Sequence, residues 1–291
     1  MKFSDSHTDF FTEINSALER EKYLKTVRLQ GVRVINCAIY TTNKGFTLED
    51  LNKFSKEIKM LNKKLKIKVI FSLEDLACVD LKQINNLISL YPFSATLTWN
   101  DINQYAGGSL TNVGILKSGM KCIKMLEEYN ILIDTAHLSK KGFWQFCKIT
   151  RFPIYNSHSN IYAIKHHQRN LTDNQIAKIV KTNGYLGLTF YHKFISNRLI
   201  TSKEIAMQFD YLIKRFGHKN FGLGTDFFGI NTLPKDVSNY MEIKNIAIEL
   251  KRLGYSKKII NCLMYKNFKD FIKRIEKIKY KSQKSIKTTY K

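Results

Sequence analysis

Eight strand-like runs alternate with helix-like segments along the whole chain of 291 residues. The runs recur at intervals of about 30 residues, which is the length of one strand–helix–strand unit. They are Phe3–His7, Val32–Tyr40, Ile67–Leu73, Ala95–Trp99, Ile131–His137, Ile154–His158, Tyr185–Tyr191 and Phe221–Asp226. Regular alternation favours a parallel sheet covered by helices, and eight units predict an α/β fold of the single (β/α)8 TIM-type barrel kind.

The segments between the strand-like runs carry apolar residues at helical spacing. They predict helices over 10–29, 47–65, 80–91, 111–129, 139–149, 173–182, 203–216, 239–253 and 256–277. Thr47 is a good N-cap, because Glu49 and Asp50 follow it in the first turn. No repeat or low-complexity linker divides the chain. We therefore expect one barrel domain over residues 1–276 and a Lys-rich C-terminal tail over 277–291.

The charge balance is strongly basic, with 48 Lys and Arg against 24 Asp and Glu, for a formal net charge of +24. Such a charge raises the question of nucleic acid. However, the excess is nearly all lysine, whereas bidentate recognition of phosphates and bases favours arginine. The lysines are also spread over every predicted helix. We therefore interpret the charge as general surface charge and do not expect a nucleic-acid partner.

The five cysteines include no C-x-x-C pair, which argues against a disulfide framework and against a structural zinc site made of thiolates. No stretch reaches the roughly 20 apolar residues that a membrane span needs. The first residues, Met1-Lys2-Phe3, lead almost at once to Asp5, so the pattern of a cleavable signal peptide is missing. These features predict a cytoplasmic protein with reduced thiols and no membrane span.

Histidines and carboxylates follow five of the eight strand-like runs. They are His7, Asp9, Glu74, His137, His158 and Asp226. In barrels of this kind the chemistry lies at the C-terminal ends of the strands, so these side chains should converge in one pocket. Taken singly, each has a simpler explanation as a surface turn, an N-cap or a solvated carboxylate. Together they predict a site.

Histidine and carboxylate ligands without thiolates suit Zn²⁺ or a similar divalent ion in a catalytic site. A single catalytic ion uses about three protein ligands. Six candidate groups therefore fit two ions better, with one carboxylate bridging them.

Beyond the predicted metal ligands, a set of motifs occurs in a fixed order along nearly the whole chain. They are SDSHTDF at 4–10, FSLED at 71–75, LTWNDIN at 97–103, SLTNVG at 109–114, ILIDTAHLS at 131–139, PIYNSHSN at 153–160, QRNLTDNQIAKIVKTNGYLGL at 168–188, GLGTDF at 222–227 and KNF at 266–268. Their order resembles that of the membrane (renal) dipeptidases, a branch of the metal-dependent amidohydrolase-like barrels. The resemblance implies a dinuclear zinc-dependent metalloprotease that hydrolyses the peptide bond of a dipeptide through a metal-bridging hydroxide.

The resemblance also implies a role for each matching residue. His7 and Asp9 would bind one Zn²⁺, His137 and His158 would bind the other, and Glu74 would bridge both. Asp226 would handle a proton beside the bridging water, so Asp226 and Glu74 form the expected catalytic pair. The expected substrate-binding residues are Arg169, which would hold the substrate carboxylate, Asn170 and Trp99. A homodimer is expected only by analogy with relatives.

The chain departs from the family pattern at Trp99, where many members have a histidine that stabilises the oxyanion. An indole N–H can donate a hydrogen bond but cannot carry charge. Phe228 stands where a second aspartate is common. His166 and His167 flank Arg169 and are expected at the pocket rim or on the surface.

Two alternatives stay open at this point. The chain could be a repurposed family member that acts on another small amide, a lactam or a processing substrate, which the change at Trp99 would permit. It could also be a binding protein that retains metal but shows little turnover. Metal-dependent release of amino acids from dipeptides would distinguish the dipeptidase hypothesis from both alternatives.

Overall fold

The strands of the chain form a closed, all-parallel barrel in the order of the sequence, β1 to β8. The computed structural model describes residues 1–41 and 47–289, and side chains only to residue 278. The strands are β1 (Phe3–Thr8), β2 (Val32–Tyr40), β3 (Lys68–Glu74), β4 (Ser94–Thr96), β5 (Leu132–Asp134), β6 (Tyr155–Asn156), β7 (Tyr185–Leu188) and β8 (Phe221–Leu223). The predicted (β/α)8 barrel is thereby confirmed.

Helices connect the strands and surround the barrel. They are α1 (Phe10–Glu13), α2 (Ala17–Leu29), α3 (Leu48–Lys64), α4 (Ile84–Ser89), α5 (Lys117–Glu128), α6 (Lys140–Ile149), α7 (Asp173–Lys181), α8 (Ser202–Phe216), α9 (Lys244–Arg252), α10 (Lys257–Asn261) and α11 (Asn267–Thr289). A π-helical turn joins α10 to α11. Within the described ranges, no helix combines the length and the apolar character that a membrane crossing demands.

Several predicted boundaries were wrong for reasons of local chemistry. The helix expected over 10–29 is two helices, because the Ser16 side chain accepts the Glu19 N–H and starts a new helix there. The helix expected over 111–129 begins only at Lys117, since residues 102–116 form a loop with short antiparallel bridges. The helix expected over 239–253 begins at Lys244. The division into a domain over 1–276 and a Lys-rich tail over 277–291 stays a prediction. Residues 277–289 continue α11, and residues 290–291 lie outside the described residues.

Other predictions match closely. β2 covers the predicted residues Val32–Tyr40. Thr47 caps α3 through a reciprocal capping box with Asp50. The strands β4 to β8 are shorter than the apolar runs that predicted them. The backbone hydrogen bonds between neighbouring strands end before the residues that turn into the pocket.

The lower half of the barrel interior is packed with aromatic side chains. Tyr155 and Tyr185 are fully buried there and contact Phe268 and Phe271 of α11, with ring centroids 4.9 to 6.3 Å apart. The last helix thus closes the N-terminal end of the barrel. Any substrate must therefore approach from the C-terminal ends of the strands.

One buried carboxylate, Asp5, reinforces the seam at which β1 pairs with β8. Asp5 accepts hydrogen bonds from the Thr225 N–H at 2.9 Å, the Thr225 hydroxyl at 2.6 Å, the Tyr240 hydroxyl at 2.5 Å and the His7 N–H at 3.2 Å. Residues 5 and 225 are thereby joined although they lie at opposite ends of the barrel sequence. Because Thr225 precedes Asp226, this seam also sets the position of a predicted site residue.

We expect Asp5→Ala to lower the free energy of unfolding by at least about 3 kcal/mol, because it leaves several buried donors without an acceptor. Tyr240→Phe removes one of these donors and should cost only about 1 kcal/mol. Urea unfolding followed by circular dichroism measures both. An Asp5→Ala protein with the unfolding midpoint of the parent chain would contradict this role.

Candidate metal centre

The barrel brings the predicted ligand residues to one place at the C-terminal ends of its strands. His7 lies within β1 and Asp9 directly follows it, while Glu74 is the last residue of β3. His137, His158 and Asp226 lie two or three residues beyond the ends of β5, β6 and β8. The backbones of His137 and Asp226 are left-handed, with φ of 66° and 64°. Non-glycine residues rarely adopt this conformation, and it turns both side chains inward.

Glu74 lies between the histidines, and its two carboxylate oxygens face different partners. Oε1 lies 2.7 Å from Nε2 of His137 and 3.7 Å from Nε2 of His158. Oε2 lies 3.6 Å from Nε2 of His7. The Glu74 carboxylate therefore lies between two halves of the cluster, one with His137 and His158 and the other with His7.

The second half of the cluster surrounds His7. Its Nε2 lies 3.4 Å from Oδ2 of Asp9 and 3.8 Å from Oδ1 of Asp226. Two sets of ligand atoms can each gather around an ion, His7 with Glu74 and His158, and His7 with Asp9 and Asp226. The atoms of each set lie within 4.8 Å of one another.

Hydrogen bonds at the opposite ring nitrogens aim the histidines inward. Nδ1 of His137 lies 2.9 Å from Oδ1 of Asn100, and Nδ1 of His158 lies 2.8 Å from the Ser157 hydroxyl. The same hydroxyl lies 3.3 Å from Nδ1 of His7. With Nδ1 engaged in this way, each Nε2 is left to face the centre as a ligand atom.

The residues present fit divalent cations. Nε2 of His7 and Oδ2 of Asp9 are buried, yet neither has a hydrogen-bond partner within the described residues. Buried polar atoms normally have partners, so these two atoms indicate a ligand that the protein itself does not supply. Gly229 leaves room for the carboxylates, because a β-carbon there would clash with Asp9 and Asp226. All donors are nitrogen or oxygen, as divalent zinc and similar ions prefer.

Burial and mutual charge dominate the electrostatics of the cluster. Burial raises the pKa of Asp9 to about 7 and that of Asp226 to about 6, and His7 counteracts both shifts. Burial alone would lower the pKa of His7, but Asp9 and Glu74 outweigh it and raise that pKa well above 6.5. In the protein alone, the charged forms of His7 and of the carboxylates thus favour one another. A divalent cation would supply positive charge at the same place.

The other two histidines are held neutral. Burial and the nearby Arg169 lower the pKa of His137 to about 4. Burial, followed by the charges of His7 and Arg169, lowers the pKa of His158 well below its usual value. A neutral imidazole is the form that binds a metal ion, so these two side chains need lose no proton to do so.

A cavity of about 560 Å³ opens above the cluster. This volume is within the range of small-molecule sites. Arg169 lies in its wall and is 5% exposed. Its Nη2 lies 3.1 Å from Nε2 of His137 and donates to the His158 carbonyl at 3.3 Å. Burial lowers the pKa of Arg169 to about 10, against the raising effect of Asp226 and Glu74, so it stays cationic at neutral pH.

The other two predicted substrate-binding residues differ in position. Trp99 lines the cavity and stacks on His137, with ring centroids 5.8 Å apart. Asn170 does not line it, because its amide donates to the Lys165 and Phe194 carbonyls at 2.8 and 2.7 Å. The structure therefore gives Asn170 a role in fixing the loop that carries Arg169, rather than direct access to the cavity.

Sequence reasoning missed the residues that orient the histidines. Asn100 sits in the quoted LTWNDIN motif and Ser157 in PIYNSHSN, so both were visible as neighbours of named residues. Nothing in their spacing indicates which ring nitrogen they contact. Tyr40 and Phe228 also line the cavity and were not assigned to it.

We expect Asn100→Ala to weaken zinc binding by about 10- to 100-fold, because His137 loses the contact that orients its ring. Asn100→Asp keeps an oxygen acceptor and should retain most of the affinity. Zinc titration against a competing chromophoric chelator measures both variants. Equal affinity of the Asn100→Ala protein and the parent chain would show that Asn100 does not orient His137.

The sequence matches a family described as membrane dipeptidase (peptidase family M19) over residues 13–286. An "uncharacterized protein in pqqA 5'region" of Klebsiella pneumoniae is 28% identical over 192 residues, which are 61% of this chain and 70% of that protein. An uncharacterized dipeptidase of Schizosaccharomyces pombe is 29% identical over 236 residues, 76% of this chain. This second alignment spans only 56% of the yeast protein.

Solved structures share the fold. A metallopeptidase of Rhodobacter sphaeroides, liganded with a phosphinate mimic of the dipeptide L-Ala-D-Ala, superposes with a TM-score of 0.82 at 19% identity. The match covers 94% of this chain and 99% of that one. A structure described as dipeptidase AC of family M19 also gives 0.82 at 20% identity, covering 94% of this chain and 98% of its own. These likenesses support the barrel architecture.

Proposed function

The chain belongs to the membrane dipeptidase family of peptide-bond hydrolases, and on this premise we propose that it is a dinuclear zinc-dependent dipeptidase. The observation that carries the proposal is the position of Glu74. Its two oxygens face His137 and His158 on one side and His7 on the other, as a carboxylate shared by two ions would.

The ligand set divides naturally around Glu74. His7 and Asp9 would hold one ion, and His137 and His158 the other. Zinc is the proposed metal because its usual catalytic ligands are histidine and carboxylate, without a required thiolate. When bound, two such ions would supply a shared hydroxide near neutral pH and polarise the peptide carbonyl.

Asp226 is the proposed proton carrier. In the protein without metal, burial raises the pKa of Asp226 to about 6. A carboxylate beside the attacking water is a group that can accept a proton and return it. Asp226 lies on the His7 side of the cluster, and the Thr189 hydroxyl donates to its Oδ2 at 3.3 Å. Asp226 would take the proton of the attacking water and deliver it to the leaving amine.

Arg169 is the proposed contact for the substrate's carboxylate. A dipeptide carries this group only a few atoms from the scissile bond, and Arg169 lies beside His137 and His158. Its buried Nε has no hydrogen-bond partner within the described residues. A planar guanidinium that binds the carboxylate would set the register of the peptide and disfavour longer chains. Trp99 lines the same cavity.

We expect the zinc-loaded protein to contain two equivalents of zinc and to release free amino acids from alanyl-alanine, tested with both stereoisomers of the C-terminal residue. Glu74→Gln should bind at most one equivalent and lose at least about 1,000-fold in kcat/KM, because the shared ligand is lost. Elemental analysis and amino-acid release measure the two effects.

Glu128→Gln is a matched control, since Glu128 is exposed at the end of α5. It should keep both ions and full activity. Two equivalents of zinc with unchanged turnover in the Glu74→Gln protein would refute the bridging assignment.

We expect the parent enzyme to hydrolyse a dipeptide about 100-fold better than the matching dipeptide amide, which lacks the terminal carboxylate. Arg169→Met should reduce this ratio towards one, because the cation that reads the carboxylate is lost. Steady-state kinetics on both substrates measure the ratio. Arg252→Met, an exposed site on α9, serves as the control and should keep it. An unchanged ratio in Arg169→Met would assign carboxylate recognition to another group.

A further inference from the structure

One wall of the cavity is basic and aromatic, and it comes from the loops that follow β6 and β7. The β6 loop contributes His167 and Arg169, and the β7 loop contributes Tyr191, Lys193 and Phe194. None of these five residues is a predicted metal ligand. The wall thus offers more positive charge and donor capacity than one terminal carboxylate can use.

Phe194 holds this wall together. The guanidinium carbon of Arg169 lies 5.6 Å from its ring centroid, and the His167 ring lies 4.5 Å from it. Tyr191 packs edge-on against the same ring at 4.9 Å, and Nζ of Lys193 lies 6.0 Å from the Tyr191 ring. Arg169, His167 and Lys193 therefore surround one aromatic pair as a contiguous group.

His167 lines the cavity, and one of its two ring nitrogens is already engaged. Its Nδ1 accepts the backbone N–H of Arg169 at 3.1 Å, so the ring proton of the neutral imidazole lies on Nε2. The same bond ties the orientation of the His167 ring to the backbone of Arg169. The Nε2–H of His167 is therefore the ring donor that remains for a ligand of the cavity.

Lys193 is exposed and lines the cavity, and no carboxylate of the described side chains pairs with it. Many other lysines of this chain also carry unpaired charges, but they lie outside the cavity. Lys193 differs from them because it lines the cavity above the cluster. An anionic group of the substrate is the natural partner for it.

We propose that the cavity selects dipeptides whose C-terminal residue carries a carboxylate side chain. Arg169 would bind the α-carboxylate, while Lys193 and the Nε2–H of His167 would bind the side-chain carboxylate of the same residue. The two anions would then lie on the same Phe194–Tyr191 surface. This specificity rests on the proposed dipeptidase function.

The test compares substrates that differ only in charge, Ala-Glu with Ala-Gln and Ala-Asp with Ala-Asn, in both stereochemical forms of the second residue. The zinc-loaded enzyme should show a kcat/KM at least about 10-fold higher for the acidic member of a pair, mostly through KM. Lys193→Met should bring the ratio towards one, and Lys193→Arg should retain most of it. Lys203→Met, an exposed site on α8 outside the cavity, is the control and should keep the parent ratio.

The reversed pair, Glu-Ala with Gln-Ala, tests which residue is read. If the ratio of kcat/KM for Glu-Ala to that for Gln-Ala exceeded the ratio for Ala-Glu to Ala-Gln, the assignment to the C-terminal residue would be overturned. Equal kcat/KM for Ala-Glu and Ala-Gln would overturn the specificity but leave the dipeptidase function intact. Failure to cleave any of these peptides, or alanyl-alanine, would refute both.

Discussion

Three carboxylates and three histidines share one buried space, and the rest of the structure depends on balancing their charges. Asp9, Glu74 and Asp226 would repel one another in a region that excludes water. In the protein alone, Asp9 and Glu74 raise the pKa of His7, whose charged form offsets part of this repulsion. A pair of divalent cations would do the same more completely, and would satisfy Nε2 of His7 and Oδ2 of Asp9 as well. The repulsion that opposes the gathering of these carboxylates is thus also what favours metal binding.

The barrel holds the groups together because its strands bring distant parts of the chain side by side. Asp5 joins the first strand to the segment after the last, so that His7 and Asp226 lie within 3.8 Å. Below them, the aromatic packing between the strands and α11 closes the opposite end. Among the described residues, the cluster is therefore closed on the N-terminal side of the barrel and open towards the cavity on the other. This arrangement fits a site that excludes bulk water except through its own cavity.

Orientation matters as much as proximity. Asn100 and Ser157 engage the Nδ1 atoms of the histidines, and Gly229 leaves space beside the carboxylates. On the substrate side, the backbone N–H of Arg169 fixes the tautomer of His167, so that one loop both positions the cation and supplies a neutral donor. Asn170 ties this loop to the next one through the Phe194 carbonyl. The proposed metal site and the proposed specificity wall are thereby parts of one hydrogen-bonded framework.

The sequence by itself determined the alternation of strands and helices, the full extent of β2, the capping of α3 and the six residues that meet at the strand ends. These depend on local periodicity and on the rule that parallel strands end at the same edge. Only the tertiary structure decided that α5 starts at Lys117, that Asn170 faces the loop instead of the cavity, and that Asn100 orients His137. It also brought His167, Lys193 and Arg169 onto one aromatic surface. Most of these contacts join residues far apart in the chain. Which atom of a side chain meets which partner depends on packing, and packing produces no periodic pattern in the sequence.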